Sequence, residues 1–144
     1  MRRLLFCSLN PTCEMVYIVL LLTSFLSGGM LLFSLGFGAL SFKFLEPAVA
    51  RSFIRKTFPY FYGYVLGISA LVMLLSFTIS KTVAALAFFI FLTTLPTSKI
   101  LMPAINRASD LKQRRNFVLL HSISVIVTLS HIVVCAALLY LIPV

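Results

Sequence analysis

From Phe117 to Val144 the chain carries 28 consecutive residues without Asp, Glu, Lys or Arg. About 20 predominantly apolar residues cross the hydrocarbon core of a bilayer as a helix. A run of this length therefore constrains the fold to one that crosses a membrane. Three more uncharged or nearly uncharged stretches lie upstream, over about residues 15–42, 59–80 and 82–102, the last of them with Lys99 near its end, and the final span is read as about 117–142. A helix satisfies its backbone groups internally, which lipid demands, and the alternation of membrane β-strands is absent. The sequence thus predicts an all-α integral membrane four-helix bundle, one domain over residues 1–144.

Composition agrees. The chain is 61% hydrophobic and 10% charged, whereas a soluble domain is roughly half apolar and a quarter charged, so lipid must cover part of the surface. The net charge of +9 does not point to nucleic acid, because no aromatic-basic motif accompanies it. The cations sit beside apolar spans, where they set topology and meet anionic lipid headgroups. The lipid bilayer is thus the expected partner, with a homo-oligomer or a membrane partner protein as further options. Arg2 and Arg3 resemble the start of a signal peptide, but Glu14 intervenes and no small-residue cleavage site follows, so a retained first span is expected. Cys7, Cys13 and Cys135 form no zinc or redox motif. Free apolar thiols are expected; Cys7 and Cys13 would pair only in an oxidising compartment.

The connections are unequal. Lys81 alone marks the turn between the second and third spans. The first connection opens with Glu46-Pro47, a helix start with Pro at its first position. It then mixes Val49, Ala50, Phe53 and Ile54 with Arg51, Arg55 and Lys56 before Pro59. This pattern predicts a short amphipathic helix on the membrane surface, stopped by Pro59, with Arg51, Arg55 and Lys56 toward the headgroups. The third connection is basic, with Arg107, Lys112, Arg114 and Arg115. Nine of the twelve Lys and Arg lie in or beside the first and third connections. The positive-inside rule then puts those connections in the cytoplasm and both termini outside. The expected location is a bacterial inner membrane.

Lipid tails are as apolar as Leu, so small residues and interhelical hydrogen bonds hold membrane helices together. Ser24, Gly28, Gly29, Ser34 and Gly38 in the first span, and Gly63 and Gly67 in the second, are the expected packing positions. Thr93, Thr94 and Pro96 predict a kink in the third span.

The fourth span carries His121, Ser124, Thr128, His131 and Cys135 at three- and four-residue spacing, one stripe expected to face the interior. Ionisable groups inside a span are a functional-site hypothesis by default. Ten residues of helix separate the two histidines by about 15 Å, so they cannot share one metal. Each is expected to hydrogen-bond a Ser, Thr or carbonyl of a neighbouring helix; a metal role stays open. The only acids, Glu14, Glu46 and Asp110, lie outside the spans, which disfavours a carboxylate-lined ion path. No phosphate loop, HExxH, nucleophile elbow or CxxC is present.

Several pieces taken in order resemble the transmembrane protein 205-like proteins, small four-span membrane proteins of unknown function in bacteria. They are Phe25-Leu-Ser-Gly-Gly-Met-Leu-Leu-Phe33, Phe44-Leu-Glu-Pro47, Phe58-Pro-Tyr-Phe61, Met102-Pro103 ending the third span and Phe117-Val-Leu-Leu-His-Ser-Ile-Ser124. The resemblance implies four helices and gives His121 more weight than His131, which has no counterpart. It departs at Thr128, where that family tends to carry Asn. Two functional readings follow. One is a non-enzymatic membrane protein that handles a small solute, lipid or metal or supports a partner, with no cofactor. The other is a haem-binding oxidoreductase similar to four-span protoporphyrinogen oxidases.

Overall fold

The four apolar runs become four helices, all longer than the sequence spans. In the computed structural model, which describes residues 11–142, α1 runs over Pro11–Leu31, passes through a π-helical stretch at Leu32–Phe37 and resumes over Gly38–Phe44. Helix α2 is Pro47–Ser76. Helix α3 runs over Lys81–Pro96, a π-helical stretch at Thr97–Leu101, and Met102–Asp110. Helix α4 is Arg114–Leu141. All four are long and apolar enough to cross a membrane. Among the described residues there is no strand.

Consecutive helices are joined by two to four residues, so neighbours run antiparallel. Helix α1 packs on α2 and α4, and α3 packs on the same two, closing a square bundle. One end of the bundle holds the α1–α2 and α3–α4 turns and is termed the basic end. The other holds the start of α1, the end of α4 and the α2–α3 turn.

The expected surface helix is not separate, which corrects the sequence reading. Glu46 is the extended cap and Pro47 the first helical residue, but Pro59 lies inside α2 and does not stop it. A Pro costs a helix one N–H bond, here the donor to the Arg55 carbonyl, and membrane helices tolerate that loss. At 1.5 Å per residue α2 is about 45 Å long, more than the ~30 Å hydrocarbon core. It is therefore long enough to cross that core with residues to spare. Pro103 likewise lies near the start of the last α-helical part of α3 rather than ending the span.

Helix α3 ends at a Schellman motif. The Gln113 amide bonds the Ala108 carbonyl at 2.9 Å and the Lys112 amide the Ser109 carbonyl at 3.1 Å. Lys112 has φ 53°, the left-handed conformation that Gly usually fills. No Gly marked this turn in the sequence. The α2–α3 turn is capped conventionally: the Ser80 hydroxyl accepts from the Val83 amide at 3.4 Å.

Packing between α1 and α2 is aromatic at the basic end. Phe33 stacks on Phe37 (4.6 Å) and on Phe61 (4.1 Å), and meets Phe58 edge-on at 5.2 Å. Phe33 and Phe37 are four apart on the π-helical stretch, so the widened turn presents both rings to α2. Further along, Gly29 lets Tyr64 approach, and the Tyr64 hydroxyl donates to the Phe25 carbonyl. A Cβ at Gly29 would overlap the Tyr64 phenol. The remaining expected packing positions are placed differently. Ser24, Gly28, Ser34, Gly63 and Gly67 are exposed, and a Cβ at Gly28, Gly38, Gly63 or Gly67 would meet open space. Their smallness brings no helix of this chain closer.

Cys13 is disulfide-bonded, against the free-thiol expectation. The expectation for Cys7 lies outside the described residues. Cys135 is a free thiol buried in α4.

Candidate functional site

Two polar sites emerge, one closed and one open. The closed site is at the centre of the bundle. His131 of α4 is buried, only 4% exposed, and its Nε2 lies 2.6 Å from the Thr93 hydroxyl of α3. Thr93 has one hydroxyl proton, and it is directed at the Phe89 carbonyl at 2.7 Å. By that pattern Nε2 carries the imidazole proton and donates to Thr93, an assignment drawn from the hydrogen bonds. The depths match. Thr93 is twelve residues from the start of α3, and His131 is ten from the end of α4. At 1.5 Å per residue these are comparable heights from the same end.

Around this pair every helix contributes a wall: Met30 from α1, Tyr62 and Val65 from α2, Thr94 and Thr97 from α3, Thr128 from α4. The hydroxyls of Thr94, Thr97 and Thr128 each donate to the carbonyl four residues back, at 2.6, 2.8 and 3.0 Å. Ser124 of α4 and Tyr62 of α2 are also buried. The space left is about 10 Å³, close to the minimum for a single water. Pro96 contributes to this layout. Its missing N–H loosens the ladder of α3, and the π-helical stretch that follows begins at Thr97, which is buried against the cavity.

His121 is not part of this centre. It is exposed and stacks on Phe117 one turn away, with ring centroids 5.6 Å apart and 4° between planes. The reason is angular. At about 100° per residue the buried positions Ser124, His131, Cys135 and Leu138 fall within one ~60° arc, and His121 lies about 70° from its middle. Thr128 lies about 20° outside that arc and is half-buried. Of the residues in that stripe, Ser124, His131 and Cys135 are buried, Thr128 is half-buried and His121 is exposed.

The open site is a groove of about 380 Å³ at the basic end, between the last turns of α3 and the first turns of α4. Ala104, Leu119 and Leu120 form apolar walls, and Arg107, Gln113 and Asn116 supply polar groups. The Asn116 amide donates to the Gln113 side chain at 2.9 Å. Beside the groove, Arg55 of α2 grips Asp110 of α3 through two bonds of 2.8 and 3.2 Å. Asp110 lies beyond the apolar part of α3, and the Arg55 guanidinium hydrogen-bonded to it holds its carboxyl below the usual value of 3.8. Arg55 is therefore engaged within the protein, while Arg51 and Lys56 remain exposed. The sequence reading singled out neither Arg107 nor the Thr93 bond to His131. The signal available for the second was the matched depth of Thr93 and His131 in adjacent spans.

Haem was one sequence expectation, with the two histidines as its candidate ligands. Nε2 of His131 is engaged with Thr93, and the cavity beside it is far below the roughly 300–1,000 Å³ of ligand pockets. His121 is stacked on its own helix at the surface. Among the described residues no three His, Cys, Asp or Glu gather where they could hold a metal ion.

Four membrane-crossing helices around a tightly packed polar centre define an α-helical multi-pass membrane protein. Residues 21–116 match a family described as a domain of unknown function (DUF4149), and the chain belongs to that family. The match runs from α1 to the first turn of α4. It includes Thr93, Arg107 and Asn116 and ends before both histidines. No curated protein and no solved structure matches the chain.

Proposed function

We propose that this is a non-enzymatic membrane protein whose working surface is its basic end, where it engages anionic lipid headgroups of the cytoplasmic leaflet. The observation that carries the reading is the contrast in space. The interior cavity is about 10 Å³, whereas the groove opening at the basic end is about 380 Å³. A solute path or a catalytic pocket needs room in the interior; a lipid-facing role needs it at the edge. Charge supports the same end, since nine of the twelve Lys and Arg lie there against two acids, Glu46 and Asp110, one of which is already paired with Arg55. The positive-inside rule places that end in the cytoplasm and both termini outside, in a bacterial inner membrane. The likeness to transmembrane protein 205-like proteins fits this reading.

Two measurements test it. A C-terminal reporter active only outside the cytoplasm should be on; a signal only from a cytoplasmic reporter overturns the orientation. Extraction from vesicles of equal phosphatidylcholine and phosphatidylglycerol should retain phosphatidylglycerol preferentially. Arg51→Glu with Lys56→Glu should reduce that preference. These two replace any test on Arg55, whose reversal would set a second acid against Asp110. Retention in simple proportion to the vesicle composition removes the lipid reading.

A further inference from the structure

We infer that the groove between the ends of α3 and α4 is a site for one anionic phospholipid, its phosphate on Arg107 and its acyl chains along Ala104, Leu119 and Leu120. This rests on the reading of the basic end as a lipid-engaging surface and gives that surface a built site.

Four observations converge on it. The groove is two-sided in chemistry: Arg107, Gln113 and Asn116 at one margin, Ala and Leu walls at the other. A headgroup–chain boundary has the same division. Its height is right, because the groove begins at the α3–α4 turn, residues 111–113, and descends along the first turns of α4 toward the apolar span. Leu119 is 61% exposed, an apolar wall presented outward rather than to the core. Charge is one-signed. Lys112, Arg114 and Arg115 flank the turn, and the single acid nearby, Asp110, is held by Arg55. Among the described residues Arg107 thus has no acidic partner, and the ion pair formed is Arg55–Asp110.

Helix geometry adds to the same field. Helix α4 starts at Arg114, beside Gln113 and Asn116 of the groove. The N-terminus of a helix carries partial positive charge and unpaired N–H groups that favour a phosphate. The volume, about 380 Å³, is at the lower end of ligand pockets. It accommodates a headgroup and the upper chains, with the lower chains continuing along the exposed face of α4. A free phosphate would leave the apolar walls uncovered, so the occupant is a lipid.

The test uses the full chain, reconstituted in vesicles of equal phosphatidylcholine and phosphatidylglycerol, extracted in mild detergent and weighed intact by native mass spectrometry. Wild type should retain one tightly held phosphatidylglycerol. Arg107→Gln should lower its occupancy about fivefold, the effect of roughly 1 kcal/mol per cation at a membrane surface. Arg107→Lys keeps the charge and should retain most of it, which separates binding from a folding defect. Glycerol phosphate, the headgroup without chains, should not displace the lipid. Equal occupancy in Arg107→Gln and wild type, or displacement by glycerol phosphate, overturns the site. If Arg51→Glu with Lys56→Glu abolishes the preference while Arg107→Gln does not, the groove falls and the broader lipid reading stands. If neither changes anything, both fall.

Discussion

The centre and the basic end of this bundle use polar residues in opposite ways. At the centre, His131 and the threonines are consumed by one another and by their own backbones: His131 on Thr93, and Thr94, Thr97 and Thr128 on carbonyls one turn back. Little space is left there. At the basic end, one pair is closed, Arg55 on Asp110, and Arg107 stands exposed at the margin of a groove. A buried ionisable residue in a membrane helix is a reasonable first suspect for function. Here its environment makes it a structural tie between α3 and α4. The unpartnered arginine at the edge is the better suspect. The fourth helix repeats the contrast in its two histidines, one tied across the bundle and one stacked on its own helix.

The comparison breaks first at His131. His131→Ala removes the bond to Thr93 and enlarges an existing cavity, so it should cost about 2–4 kcal/mol. His121→Ala should stay within about 0.5 kcal/mol, as surface substitutions do. Thermal unfolding in detergent measures both, and equal losses would dissolve the distinction between the histidines. Gly29 comes next. Gly29→Ala drives a methyl into Tyr64 and should cost about 1–3 kcal/mol. Gly28→Ala and Gly67→Ala, which face open space, should be neutral or stabilising by up to about 1 kcal/mol. At the basic end the effects shrink. Lys112→Gly relieves a left-handed residue and should stabilise by about 1 kcal/mol; no gain in unfolding temperature would mean that the turn relaxes without help.

The smallest effect is that of the Arg55–Asp110 pair, and it carries a pH signature. The folded carboxyl lies below the usual 3.8. Its contribution is therefore fully present above that value and is lost as the pH falls through the lowered one. Wild type and Asp110→Asn should differ slightly at neutral pH and converge in strong acid. A difference that persists unchanged in acid would show that the pair is not the source.

Much of this fold is legible in the sequence because lipid leaves few choices. Four uncharged or nearly uncharged runs become four helices, and Glu46-Pro47 starts α2 as its chemistry dictates. The errors share a cause. Pro59 and Pro103 read as stops because proline breaks helices in water, but a span can lose one N–H bond and continue. The α3–α4 turn was invisible as a cap because Lys112 occupies a position where Gly is the usual signal. Small residues were read as packing sites, yet only Gly29 lies under a neighbour; spacing reveals a face without revealing what covers it. The same limit governs the site. The stripe on α4 was visible, but its rotation was not, and a turn of about 80° separates a buried histidine from an exposed one. Arg107 was one cation among twelve until the turn beside it defined a groove.

The central claim is that the polar centre is closed and the basic end is open. Cysteine accessibility tests it most directly. In a chain with Cys7, Cys13 and Cys135 replaced, Thr97→Cys reports the central cavity and Arg107→Cys the groove. With the folded protein in vesicles whose basic end faces the added reagent, a membrane-impermeant maleimide should label Arg107→Cys readily. It should leave Thr97→Cys unlabelled until the protein is unfolded. Rapid labelling at Thr97→Cys in the folded protein would mean that water reaches the centre and would contradict the account.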